Sequence, residues 1–241
     1  LLKAIFLDMD ETLCGTSEAD QLAGQAFACW VKETYPELVN EQRFIERYLA
    51  GVYKQLNSEF PQLVALLPDE GAFRTGLIRA LLAEQGVDVD SDEACAAQAY
   101  FDDQRMAAFT FFPGVAELLR TLRERYKLVV ITNGPTFSQY PKLAAVKMPD
   151  WVDHIIVGGD EPEEKPAASI FQKALDLVGA FPEEVLHIGD SLSSDIAGAN
   201  RMGIKSVWVD ASGEGIAGSD IVPTYTVRSA AELPLILADF Q

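Results

Sequence analysis

Apolar and polar positions follow two different rhythms along this chain. Five short runs, Lys3–Leu7, Lys127–Thr132, His154–Val157, Val185–Ile188 and Lys205–Val209, are almost continuously apolar and rich in Val, Ile and Phe. Such runs predict parallel strands covered on both faces, where no position is left to face water. Between them the apolar residues recur at helical spacing, over Gly114–Arg125, Gln139–Val146, Ala167–Val178 and Asp195–Met202. Strand and helix in alternation predict right-handed crossovers and an α/β, Rossmann-like doubly wound parallel sheet.

The first strand stands apart, because about a hundred residues without a convincing strand follow it. They hold four amphipathic stretches, Glu18–Thr34, Glu41–Asn57, Glu70–Gln85 and Asp92–Phe109. Ser17 and Ser91 suit N-caps and Gly86 suits a helix end. The economical reading is a helical module, residues 15–111, inserted into a core made of residues 1–14 and 112–241. The tail, Thr224–Gln241, is expected to add an edge strand and a last helix.

Composition narrows the function. The chain has 241 residues, 49% hydrophobic and 23% charged, which supplies a sizeable core and excludes a disordered or coiled-coil protein. Its formal net charge of −18 repels phosphate backbones and anionic lipid, so neither a nucleic-acid polymer nor a membrane is an expected partner. No apolar run approaches the roughly 20 residues needed to cross a bilayer. Cys14, Cys29 and Cys95 show no C-x-x-C spacing, and the first apolar run is broken by Asp8 and Asp10; both point to reduced thiols and a cytoplasmic setting. A monomer or homodimer is expected.

In open α/β sheets, ligands sit beyond the carboxyl ends of the strands, where strand order reverses. After the first predicted strand comes D-M-D-E-T at 8–12, and after the second T-N-G at 132–134. E-E-K-P at 163–166 follows the third, and G-D-S-L-S-S-D at 189–195 the fourth. Asp8, Asp10, Asp190 and Asp195 therefore gather at one sheet edge with Lys165 and Thr132. So many carboxylates do not ionise together in a confined space without a cation, and oxygen ligation suits Mg²⁺. Asp8 can attack an electrophile as a nucleophile, and Asp10 can exchange a proton with a leaving group, given a pKa raised by its acidic neighbours. Thr132 and the backbone N–H groups of Asn133 and Gly134 can hold phosphoryl oxygens, while Lys165 neutralises the transferring group. The chemistry implied is phosphoryl transfer.

These four ordered motifs resemble the haloacid dehalogenase-like hydrolase superfamily, and the inserted helices are similar to that family's helical cap. The resemblance implies that Asp8 is the nucleophile, Asp10 the general acid/base, and Thr132 and Lys165 the phosphate-binding pair. It implies that Asp8, the backbone carbonyl of Asp10 and Asp190 bind Mg²⁺, with Asp195 supporting the metal site. The stretch Val157–Phe171 and the later Glu232-Leu233-Pro234 are similar to the branch that dephosphorylates N-acylneuraminate 9-phosphate, and pyrimidine 5′-nucleotidases also look similar. Glu11 stands where that family usually has Gly or Asn, which adds a charge close to the metal, and Pro135 and Pro141 flank the helix after the second motif, so a displaced start is expected there.

Each motif taken alone has a plainer explanation. Asp190, Ser193 and Asp195 suit turns and caps, Lys165 suits a solvated loop, and Thr132 a strand end. Gly213, Gly215 and Gly218 match G-x-G-x-x-G, but no helix opens after them, so a loop is expected and not a dinucleotide site. His154 and His187 read as core or strand-edge residues. Among the arginines of the helical module, Arg43, Arg47, Arg74 and Arg105, Arg74 is the expected anion ligand. Hydrolysis of a small phosphomonoester, a sugar phosphate or nucleoside monophosphate, is the leading expectation. The rivals are a phosphomutase, a 2-haloacid dehalogenase, whose resembling members lack a carboxylate at the position of Asp10, and a non-catalytic interaction protein, which would have lost catalytic groups.

Overall fold

A computed structural model describes residues 1–216 and 218–240. The five apolar runs become β1 (Ala4–Leu7), β2 (Lys127–Thr132), β3 (His154–Val157), β4 (Val185–Gly189) and β5 (Lys205–Val209). The tail adds β6 (Tyr225–Val227). All pair in parallel in the order β3-β2-β1-β4-β5-β6. The chain builds outward from β1 to β3, then returns to β4 on the other side. The switch in direction therefore falls at the carboxyl end of β1, flanked by β2 and β4.

The helices are α1 (Thr16–Thr34), α2 (Glu41–Val52), α3 (Pro61–Val64), α4 (Glu70–Ala83), α5 (Ser91–Ala108), α6 (Val115–Arg123), α7 (Thr136–Ala145), α8 (Ala168–Val178), α9 (Ala197–Arg201) and α10 (Leu233–Leu237). The chain divides into two compact units, residues Leu1–Thr16 with Phe109–Gln241, and residues Ser17–Ala108. In the first unit, Ala4, Phe6, Val129, Ile131 and Val185 form an apolar cluster with Ile170, Phe171 and Ala174 of α8 and Ala199 of α9. Their strand neighbours Ile5, Leu7, Leu128 and Val130 are fully buried on the opposite face, which explains why these strands lack alternation. The two segments that leave and re-enter this unit are zipped together, with Phe112 N–H donating to Leu13 O at 2.9 Å and Gly15 N–H to Thr110 O at 3.3 Å.

Several local expectations change. α7 opens at Thr136, three residues earlier than its apolar spacing indicates, because Pro135 takes the N-cap position; Pro141 lies inside the helix. Ahead of α5 the cap is Asp90, not Ser91: its carboxylate accepts from Glu93 N–H and its own N–H donates to Glu93. Ser17 lies in the first turn of α1 and not ahead of it. Gly86 ends α4 at φ +83°, where a side chain would be strained. Residues 192–196 form a π-type turn ahead of α9, whereas the spacing predicts one helix from Asp195. The described residues among 211–224 form no helix, so the glycine motif is a loop, organised by Asp210 accepting from Gly213 and Gly215 N–H. Residue Gln241 of the predicted tail lies outside the described residues.

The helical unit packs around one aromatic cluster. Phe27 is fully buried, with the rings of Trp30, Phe44, Tyr48, Tyr100 and Phe101 all within 6.4 Å of it, centroid to centroid. Neighbours from three helices, α1, α2 and α5, cannot all collapse into the space an alanine would leave. Phe27→Ala is expected to cost about 3–5 kcal/mol, read as a lower urea midpoint by tryptophan fluorescence; a loss within about 1 kcal/mol would show that the cluster does not hold this unit together.

Candidate active site

β1 ends by presenting Asp8 at the switch point, and Asp8 N–H continues the ladder to Ile188 O at 2.9 Å. One carboxylate oxygen of Asp8, Oδ1, accepts from Lys165 Nζ at 2.7 Å, and the other, Oδ2, from Thr12 Oγ1 at 3.0 Å. Lys165 reaches in from the loop after β3 and is shared: its ammonium also lies 2.7 Å from Asp195 Oδ1. Its loop is clamped by Asn133, whose side chain donates to Lys165 O at 2.8 Å and accepts from Lys165 N–H at 2.9 Å. Asp195 is further held by Ser191 N–H and by His187 Nε2, and it lies so close to Gly189 that a Cβ there would fall 2.1 Å from Asp195 Cγ. Asp8, Asp190 and Asp195 each offer an oxygen within 4.8 Å of the others.

The electrostatics follow from burial. Desolvation works against the charge of Lys165, but Asp195 and Asp8 outweigh it and keep the ammonium above the ordinary lysine range. One ammonium cannot compensate three carboxylates. Burial raises Asp8 well above the usual carboxylate range, Lys165 offsetting this only partly and Asp195 and Asp190 adding to it. Burial likewise pushes Asp190 up to about 6, with Asp195 contributing. Asp195 is the exception: burial opposes its ionisation, yet Lys165 and His187 hold it low. A largely buried cluster with surplus negative charge and an all-oxygen donor set fits a hard divalent cation, which would lower Asp8 and Asp190 together.

Asp10 occupies a second, separate network. Its carboxylate accepts from Thr16 Oγ1 at 2.5 Å, Gln139 Nε2 at 2.9 Å and Lys142 Nζ at 3.0 Å. Burial alone would raise its pKa, but Lys142, Thr16 and Gln139 together hold it below the usual range. This corrects the expectation of a raised value: a buried lysine faces Asp10 where acidic neighbours were expected. Gln139 also donates to Thr132 Oγ1 at 2.6 Å, leaving the threonine O–H to donate elsewhere.

Two other expectations are corrected. The Gly134 N–H is already given to Glu164 Oε1 at 2.8 Å, so it does not stand free for a phosphoryl oxygen. Arg74, in the helical unit, is not a free guanidinium: Nε meets Glu70 at 2.7 Å and Nη1 meets Asp102 at 3.1 Å. Arg47 and Arg105 are likewise paired, with Glu59 and Glu84 and with Asp20. Glu11 adopts φ +57°, the left-handed backbone that Gly or Asn takes with least strain.

Sequence reasoning missed Gln139, Lys142, Thr12 and the role of His187. Gln139 and Lys142 stand three apart on one face of α7 and are 1% and 4% exposed. Their only signal was two polar residues on the buried side of a short helix, which spacing alone does not separate from a solvated face.

Residues 2–203 match the haloacid dehalogenase-like hydrolase family. The N-acylneuraminate-9-phosphatase of Rattus norvegicus is 28% identical over 239 residues, 98% of this chain and 94% of the relative. A glyceraldehyde 3-phosphate phosphatase of Pyrococcus abyssi is 28% identical over 210 residues, covering 86% and 81%. Among solved structures, a 2-haloacid dehalogenase from Pseudomonas syringae pv. Tomato DC3000 superposes with TM-score 0.69 at 26% identity over all of both chains.

Lys142→Met tests the second network. A group held below its usual pKa stabilises the fold above the unfolded carboxylate value of about 3.9 and loses that contribution as pH falls through the folded value. At pH 7 the variant should lose about 2 kcal/mol, less than a fully buried pair because the Asp10 side chain is 29% exposed. Urea midpoints should converge with the parent's as pH falls below about 3.9 and through the lower folded value of Asp10; a loss that does not shrink as pH falls would contradict the assignment.

Proposed function

The chain belongs to the haloacid dehalogenase-like hydrolase family, and we propose that within it this protein is a Mg²⁺-dependent phosphatase of a small phosphorylated metabolite. The observation that carries the proposal is Asp8 at the sheet's switch point, ion-paired at 2.7 Å to a buried lysine and within reach of two further carboxylates. Both phosphatase relatives act, by name, on phosphorylated metabolites, an N-acylneuraminate 9-phosphate and glyceraldehyde 3-phosphate. A sugar phosphate is therefore the preferred substrate class, with a nucleoside monophosphate second.

Asp8, Asp190 and the backbone carbonyl of Asp10 would hold Mg²⁺, with Asp195 behind them. When bound, the ion supplies charge compensation for the phosphoryl oxygens and for the carboxylates that hold it. Asp8 attacks phosphorus: a carboxylate oxygen–phosphorus bond forms and the ester phosphorus–oxygen bond breaks. Asp10 gives its proton to the departing oxygen, then takes one from the water that hydrolyses the aspartyl phosphate and regenerates the Asp8 carboxylate. Because Lys142 holds Asp10 ionised at rest, Asp10 is ready for the second half of the cycle, and it must take up a proton before the first. Lys165 stays charged throughout, beside the nucleophile and the transferring group. Thr132 O–H donates to a phosphoryl oxygen. Asn133 acts by keeping the Lys165 loop in register.

We assign the helical module the role of a cap that selects the ester. The three free cysteines fit a reducing compartment such as the cytoplasm. No helix among the described residues is long and apolar enough to cross a membrane. The structural likeness to a 2-haloacid dehalogenase keeps carbon–halogen hydrolysis as the second reading; a carboxylate at Asp10, useful for protonating an alkoxide and needless for a halide, favours the phosphatase.

Phosphate release from N-acylneuraminate 9-phosphate, glyceraldehyde 3-phosphate and nucleoside monophosphates, with Mg²⁺ and with chelator, tests the proposal. Chelator-sensitive release is expected, and Asp8→Asn should lower it by at least about 10³-fold while leaving the circular dichroism spectrum unchanged. Halide release from a 2-haloacid without any phosphate release would select the second reading.

A further inference from the structure

His187 sits mid-strand in β4, registered against Phe6 of β1 and Ser206 of β5. It is fully buried, and its ring meets Phe171 of α8 edge-on with centroids 5.1 Å apart. Val185, two residues earlier on the same face, belongs to the apolar cluster with Phe6 and Phe171. By the strand's own pattern this position calls for an aliphatic residue.

The chemistry of the ring sharpens the point. Nε2 lies 3.0 Å from Asp195 Oδ1, an oxygen that also accepts from Lys165. An ionised carboxylate only accepts hydrogen bonds, so Nε2 must carry the hydrogen. A neutral imidazole has one N–H, which leaves Nδ1 a bare acceptor. Nδ1 is buried and has no hydrogen-bond partner among the described residues. A buried acceptor without a partner destabilises a fold, and an aliphatic side chain would remove it.

We infer that His187 is a positioning residue for the reaction: its Nε2–H fixes Asp195 Oδ1, and through it the Lys165 ammonium that is shared with Asp8. Three donors from three directions, Lys165 Nζ, His187 Nε2 and Ser191 N–H, leave Asp195 one orientation. Without the imidazole, Asp195 Oδ1 is held by the flexible lysine alone. The lysine is then free to trade one carboxylate for the other, and the distance between the nucleophile and its counter-ion is no longer set. The inference rests on the phosphatase reading for its kinetic consequence, but not for its structural one.

The test compares the parent with His187→Leu and His187→Gln, the second keeping an amide N–H to place against Asp195. Three quantities are measured: melting temperature, Mg²⁺ affinity by calorimetry, and kcat/KM on the best ester. His187→Leu should melt at or above the parent's temperature while kcat/KM falls about 10–100-fold and Mg²⁺ binding weakens about tenfold, and His187→Gln should recover most of both. Leu and Gln variants that both stay within about threefold of the parent in Mg²⁺ affinity and kcat/KM would overturn the inference. So would a Leu variant that loses melting temperature and function together without rescue by Gln, the behaviour of a packing residue. A parent that releases no phosphate from any ester sinks the phosphatase reading by itself, and the calorimetric comparison still decides the role of His187.

Discussion

A single buried ammonium shared between two carboxylates is the constraint on which the rest of the core site depends. Lys165 lies 2.7 Å from both Asp8 and Asp195. Removing either partner from such a pair leaves an uncompensated buried charge, an effect on the order of 3–5 kcal/mol. The surroundings serve to hold that arrangement. Asn133 clamps the backbone of Lys165, Thr12 takes the second oxygen of Asp8, and Gly189 leaves the space that Asp195 fills. His187 closes the far side of Asp195.

Asp8 and Asp10, two residues apart at the end of one strand, are given opposite surroundings. Asp8 is buried among like charges and rises; Asp10 is met by Lys142 and two neutral donors and falls. Environments that separate the pKa values of neighbouring carboxylates are how one site assigns them different tasks. The acidity of the whole chain does not conflict with an anionic substrate. Two buried lysines stand within hydrogen-bond distance of these carboxylates, and the local field follows the nearest charges more than the remote total.

Three arginines of the helical unit are paired within it. Arg74 is held by Glu70 and Asp102, Arg47 by Glu59 and Glu84, and Arg105 by Asp20. Tyr48 donates to Gln98, which in turn donates to Asp102, so the polar residues of this unit form chains beside its aromatic core. Arg74 is therefore not a spare guanidinium.

What the sequence determined by itself was the order of strands and helices and the residue types at each strand end. Those depend on local burial and on position along the chain: an apolar run covered on both faces ends where the sheet ends, Asp8 and Asp190 stand just beyond such ends, Thr132 closes one, and Lys165 lies in the loop after another. The tertiary structure decided the partners. That Lys142 rather than acidic neighbours meets Asp10, that Glu164 takes the Gly134 N–H, and that His187 reaches Asp195 all depend on which elements are brought side by side. Lys142 and Asp10 are 132 residues apart, and Lys165 and Asp8 are 157 apart. Hydrophobic periodicity reports which side of an element is buried; it carries no record of which polar group waits on the other side.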